Sequence, residues 1–221
     1  MFWPLQGPVR SLGYPDASSR NNEDSSSQRG QVVFVAENRT AQRSDKLAPN
    51  PHSKGSLIDY ESTKIKRTTL STTVAELYSF MKRYGTCLFL RGLWADISGL
   101  DCPVHMRTDA NNLVTTARTT HLPDQKETIH MIQMLRQESN SGNIDDLAHV
   151  KTEFCLSDCL TKHSAKADNL VQAVETGVLP QVDCHPNFRS MIKHKAYLHK
   201  WINTHVHTDS PVLTCFSEVI V

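Results

Sequence analysis

The chain has 221 residues, 38% hydrophobic and 21% charged, with a formal net charge of +1. This is enough apolar material for one core, and too little net charge to hold nucleic acid by bulk attraction, so such a partner would need local basic patches. No apolar run approaches a membrane-crossing helix, and the opening MFWPLQGPVRSLG carries Pro4, Gly7 and Pro8 where a signal peptide needs its apolar core. The six cysteines then read as reduced thiols of an intracellular protein.

Residues 1–12 read as a poorly structured leader. Residues 12–17 (LGYPDA) read as a short first strand, although Pro15 is disfavoured in a central strand because it cannot donate to the ladder. Residues 19–30 are polar and turn-like, and residues 31–36 (QVVFVA) have the β-branched and aromatic content of a strand. Residues 37–55 contain two prolines and almost nothing apolar, which predicts a long surface loop. Residues 56–60 (SLIDY) form a third strand, and the three together predict an antiparallel meander.

A long helix follows. Ser71 or Thr72 can cap it, and Val74, Leu77, Tyr78, Met81, Tyr84 and Leu88 recur at helical spacing as its buried stripe. Glu76 lies off the centre of that stripe, Gly85 suggests a kink or close packing, and Gly99 is the expected stop. Residues 103–108 alternate, with Val104 and Met106 on one side and His105 and Arg107 on the other; this strand ends at Asp109. Residues 110–118 read as a short helix. Asp124 and Glu127 resemble a capping pair for another over residues 130–138, with Ile129, Ile132 and Leu135 inward and Gly142 after its end. Residues 147–150 form the last strand, followed by a helix over residues 154–162 that carries Asp158. A helix over residues 166–176 stops at Gly177, and helical potential returns over residues 188–201. A meander followed by βαβ crossovers predicts a mixed α/β sheet covered by helices.

Four stretches then line up. GYPDAS at 13–18, LSTTVAEL at 70–77, MRTDANNLV at 106–114 and HVKTEFCLSDCLTK at 149–162 each hold one acid. They resemble, in order and spacing, the G-Y-S/T-D-A, S-S/T-x-E-A-E-Y/L, T-D-x-x-x-L-V and V-x-T-x-x-x-x-A-D-x-L-T-K segments of the ribonuclease H domain in copia-type retrotransposon polyproteins. FLRGLW at 89–94 is similar in composition to the family's L-W-L-R-x-L segment.

The resemblance implies a ribonuclease H-like mixed five-stranded sheet over residues 13–165, with the first and fourth strands adjacent, and a helical extension and tail over residues 166–221. It implies that Asp16, Glu76, Asp109 and Asp158 are the catalytic, metal-binding acids, holding two Mg²⁺ ions for which Mn²⁺ may substitute. It implies an RNA–DNA hybrid as substrate and the reverse transcriptase portion of the same polyprotein as partner. Charge physics agrees: four carboxylates in one cleft repel, divalent cations relieve the repulsion, and oxygen donors suit Mg²⁺ or Mn²⁺ better than Zn²⁺. Two such ions roughly 3.5–4 Å apart can activate a water and stabilise a leaving 3′ oxygen, while the 2′-hydroxyl distinguishes the RNA strand.

Other readings compete. A lone acid is usually a solvated charge; the ordered set of motifs is what singles these four out. Lys64, Lys66 and Arg67 suit phosphate contacts or a solvated turn, and Asn111 and Asn112 suit hybrid binding or simply a helix start. Cys155, Cys159 and His163 fall at i, i+4 and i+8 of the expected helix, but zinc there needs a fourth ligand that the sequence does not place. His149 lies near the place of a loop histidine found in many ribonucleases H, but on an expected strand, and that role is not carried over. In the tail, His194, His199, His205 and His207 with Arg189, Lys193, Lys195 and Lys200 suggest a basic surface. The alternative function is a decayed copy that folds and at most binds nucleic acid.

Overall fold

A computed structural model describes residues 2–20, 22, 24–38, 53–66, 69, 71–119, 126–162 and 164–180. Five strands, β1 (Val9–Ser18), β2 (Gln28–Glu37), β3 (Gly55–Lys64), β4 (Val104–Thr108) and β5 (Asp146–His149), form one sheet in the order β3-β2-β1-β4-β5. The β1–β2 and β2–β3 pairs are antiparallel, and the β1–β4 and β4–β5 pairs are parallel. Helices α1 (Thr72–Ser98), α2 (Asn111–Arg118), α3 (Lys126–Asn140) and α4 (Asp168–Thr176) complete the architecture. This is the expected ribonuclease H-like sheet, with the first and fourth strands side by side. Among the described residues no helix is long and apolar enough to cross a membrane.

β1 starts at Val9 and runs through Pro15 to Ser18. Proline is tolerated because of which edge its nitrogen faces. Ser11 N–H donates to Pro103 O on the β4 side, so by alternation the Pro15 nitrogen also faces β4. The β1–β4 pairing ends at Gly13↔Met106, so Pro15 removes no ladder bond. β3 is also longer than expected, because its alternation of partly buried and exposed residues continues to Lys64 at the sheet edge.

The α1 boundaries follow the sequence signals. The Ser71 hydroxyl accepts from Val74 N–H at 3.3 Å, and Gly99 closes the helix at φ 69°. The buried stripe is rotated from the expected one: Phe80, Arg83 and Cys87 lie at its centre, while Tyr78, Met81 and Leu88 are only partly buried. Polar groups explain the rotation. Arg83 spans to Asp59 at 2.8 Å and Gln31 at 3.0 Å, Gln31 donates to Ser79 O at 2.9 Å, and Ser79 Oγ donates to Asp16 O at 2.8 Å. These buried hydrogen bonds fix α1 on the strands. Gly13 permits the approach, since a Cβ there would lie 2.9 Å from Cys87 Sγ. Gly85 does not mark close packing: its missing Cβ would meet open space, and α1 continues through it.

α1 and α3 cover one sheet face, where Leu77, Phe80, Met106, Ile132, Leu135 and Leu147 share a core cluster. On the other face Leu12, Tyr14, Val32 and Phe34 pack with Leu156, Ala173 and Leu179. The stretch from residue 166 onward thus contributes Ala173 and Leu179 to a core cluster of the sheet.

The expected helix over residues 154–162 is absent. Two 3-10 turns, Thr152–Phe154 and Asp158–Leu160, stand in its place, with Cys155 extended between them at ψ 102°. Phe154, Cys155, Leu156 and Ser157 are all buried, which one stripe of an α-helix cannot achieve. The turn sits on β2 where Gly30 leaves room: a Cβ there would lie 2.7 Å from Ser157 O and 2.7 Å from Thr161 Cγ2. Asp124, most of the 37–55 loop, the 188–201 segment, Arg67 and His163 lie outside the described residues.

Candidate active site

The parallel register sets the first two acids. Beyond Gly13↔Met106, Asp16 and Asp109 are each three residues further along their strands, at the carboxyl ends of β1 and β4. Ligand positions in parallel sheets favour this end. Asp16 is fully buried; its Oδ2 accepts from Thr161 Oγ1, and its Oδ1 has no partner. Asp109 is half-buried just past β4.

Glu76 enters from α1, held at this end by the Ser79–Asp16 and Arg83–Gln31 bonds. It is buried, takes a hydrogen bond from the Ala17 backbone N–H, and leaves Oε2 without a partner. Burial, then the negative charges of Asp16 and Asp109, push its carboxyl up to about 9. Burial also dominates at Asp16, raising it to about 6; the Thr161 bond and the Lys162 charge oppose the rise, while Asp109 and Asp158 add to it.

Glu76 and Asp109 open onto a cleft of about 540 Å³ that Ser18, Thr72, Asn112 and Lys162 also line. Of the four expected acids, Asp16 and Asp109 bring carboxylate oxygens within 4.8 Å of one another, and Glu76 lines the cleft beside Asp109 and feels both charges. Asp158 stands at the margin. It begins the 3-10 turn behind Asp16, pairs through Oδ1 with the Lys162 ammonium, and lines a separate hollow with Cys155 and Cys159.

Two further side chains bear on these acids, Cys155 and Lys162. Cys155 Sγ and carboxylate oxygens of Asp16 and Asp109 all lie within 4.8 Å of one another. The thiol is fully buried; desolvation, then the two aspartates, push it well above its ordinary range. Burial works against the Lys162 charge, but the bond to Asp158 and the fields of Asp16, Asp158 and Asp109 raise its pKa on balance. Both residues sit inside the 149–162 motif, but an α-helical reading places Cys155 by helical spacing and hides its approach to Asp16.

The expected nucleic-acid contacts divide. Asn112 lines the cleft and donates to Thr73 Oγ1 at 2.8 Å, joining α2 to the start of α1. Asn111 lines a neighbouring hollow with Arg118 and His149. Lys64 closes β3 and pairs with Asp24, and Lys66 is exposed just beyond it. Cys159 donates to Leu156 O at 3.6 Å and does not share a helix face with Cys155, so the helical zinc set is not formed among the described residues.

No family model matches the chain, and no curated protein matches it. Similar solved structures include ribonucleases H. LC11-RNase H1, solved with an RNA/DNA hybrid, is 15% identical with a TM-score of 0.46, over 69% of this chain and 94% of that one. RNase H1 from the halophilic archaeon Halobacterium salinarum NRC-1 is 17% identical with a TM-score of 0.44, over 69% and 94%. The PFV RNase H domain is 15% identical with a TM-score of 0.41, over 70% of this chain and 93% of that domain.

Proposed function

We propose that the chain is a metal-dependent endonuclease of the ribonuclease H type, cutting the RNA strand of RNA–DNA hybrids within a retroelement's reverse-transcription machinery. The observation that carries this reading is the approach of Asp16 and Asp109, with carboxylate oxygens within 4.8 Å of one another, beside Glu76, which feels both charges, with Asp16 Oδ1 and Glu76 Oε2 buried and unpartnered. Orphaned carboxylate oxygens are costly unless a cation completes them. The set fits Mg²⁺ or Mn²⁺, which Asp16, Glu76 and Asp109 would hold, with Asp158 and Lys162 at the edge.

When bound, such ions supply Lewis-acid activation for phosphodiester hydrolysis. The chain's own residues do the rest. Glu76, whose carboxyl is pushed up to about 9 by burial and the neighbouring aspartates, would release its proton to hold a cation. Thr161 keeps one Asp16 oxygen oriented and leaves the other available. Lys162 offsets part of the acid charge before any cation binds. Asn112, anchored on Thr73, offers a polar wall on which a nucleic-acid backbone can rest.

The test is cleavage of a labelled RNA–DNA hybrid in Mg²⁺ or Mn²⁺ beside a Glu76→Gln control. Loss of cleavage in a folded mutant supports the reading. The Lys162–Asp158 ion pair, which engages the fourth acid, favours a second reading: a folded module that binds nucleic acid without cutting. Hybrid binding with no cleavage even in Mn²⁺ would select that one.

A further inference from the structure

We propose that Cys155, Asp16 and Asp109 form a thiophilic metal site in which one zinc-class ion displaces magnesium from the acid cleft. The competition with magnesium rests on the nuclease reading above; the site itself rests on geometry. The three donors come from β1, the end of β4 and the segment between two 3-10 turns, and their ligand atoms lie within 4.8 Å of one another. Ligand atoms around one tetrahedral zinc are roughly 3.3–3.8 Å apart, so closure needs movement of about 1.5 Å at most.

A second observation points to a cation at this spot. Asp16 is 0% exposed and its Oδ1 has no partner. The sulfur is only loosely held, 3.4 Å from Ser157 Oγ and 4.0 Å from Pro15 O, so a metal bond would displace little. Thiolate is a soft donor that Mg²⁺ does not use and Zn²⁺, Cd²⁺ and Co²⁺ do. Two aspartates and one thiolate supply three protein ligands, with a fourth position open to Glu76 or solvent. The step balances simply: the Cys155 S–H bond breaks, the S–metal bond forms, and the proton passes to solvent with no change of oxidation state. Lys162 stands ready to offset the remaining negative charge.

The test uses the full chain titrated with Co²⁺ and Cd²⁺, reading the thiolate-to-metal charge-transfer absorption. The proposal expects a band saturating at one equivalent, kept in Cys159→Ser and lost in Cys155→Ser. In Asp109→Asn, which alters a half-buried acid, affinity should fall at least 10-fold. Zn²⁺ should displace Mn²⁺ from the wild type, followed by electron paramagnetic resonance, at least 10-fold more effectively than from Cys155→Ser. A wild type without the band overturns the site whatever the variants do, as does a band that survives in Cys155→Ser. Mn²⁺ binding without the band leaves the nuclease reading standing and removes this one. A Cys155-dependent band in a chain that neither binds Mn²⁺ nor cuts hybrid does the reverse.

Discussion

Asp16 and Asp109 occupy the same level of two neighbouring parallel strands, each three residues past the Gly13↔Met106 pair. Their carboxylates are therefore set by sheet register and owe little to loop geometry. Because Pro15 contributes no donor toward β4, the β1–β4 ladder stops short of these acids, leaving Asp16 buried and Asp109 half-buried beyond its last pair.

That convergence predicts what removing a charge does. Glu76→Gln and Asp109→Asn should each lower hybrid cleavage by roughly two orders of magnitude or more, since both would remove a proposed metal ligand. Neither should weaken the metal-free fold: Glu76→Gln replaces a carboxyl already pushed up to about 9, and Asp109→Asn removes a charge that repels both Glu76 and Asp16. Hybrid cleavage rates and thermal melts of the same preparations check this. A mutant that unfolds would point to a structural role for the acid.

Stability should also depend on pH in a set direction. Glu76 moves from 4.5 when unfolded to about 9 when folded, so the folded chain holds an extra proton between those values. The associated stability is full below the unfolded pKa and is lost as pH climbs toward about 9. Asp16, raised from 3.8 to about 6, adds loss of the same sign at the lower end. The metal-free melting temperature should fall between about pH 5 and pH 9, less steeply in Glu76→Gln, and Mn²⁺ should restore it at the alkaline end. Calorimetry across that range would detect a flat or rising profile, which contradicts the assignment.

Gly30 and Gly85 should respond oppositely to one added methyl. Gly30→Ala drives a Cβ to within 2.7 Å of Ser157 O and 2.9 Å of Leu160 Cβ, moving the turn that brings Thr161 to Asp16. Overpacking of this kind costs about 1–3 kcal/mol, and cleavage should fall with it. Gly85→Ala meets nothing on an exposed helix position and should stabilise by about 1 kcal/mol. Denaturant melts of the two variants measure both effects.

Much of this arrangement is legible in the sequence, and the failures have local causes. Asp16, Glu76 and Asp109 sit in motifs whose elements, two strands and a helix, all form, although β1 begins three residues before the expected strand. The Ser71 cap and the Gly99 and Gly177 stops are readable because capping chemistry is local. The stretch around Asp158 is misread because Cys155 at i and Cys159 at i+4 mimic a helical face. Burial of four consecutive residues, and the space above Gly30, are tertiary facts that override that pattern. The rotated stripe of α1 is hidden for a related reason: an arginine at position 83 does not look like core until Asp59 and Gln31 are brought to it.

Lys162 allows a further test. It already feels Asp16, Asp158 and Asp109, so Lys162→Ala removes a competing positive charge. Mn²⁺ affinity should rise several-fold while metal-free stability at alkaline pH falls. Unchanged Mn²⁺ affinity with a raised KM for hybrid would instead make Lys162 a phosphate contact.

The most direct measurement is Mn²⁺ binding by electron paramagnetic resonance to the wild type and to Asp16→Asn. The wild type should bind saturably near neutral pH, and the variant should lose at least 10-fold in affinity while melting cooperatively. Equal binding by the two folded proteins would mean that the gathered carboxylates do not hold the ion.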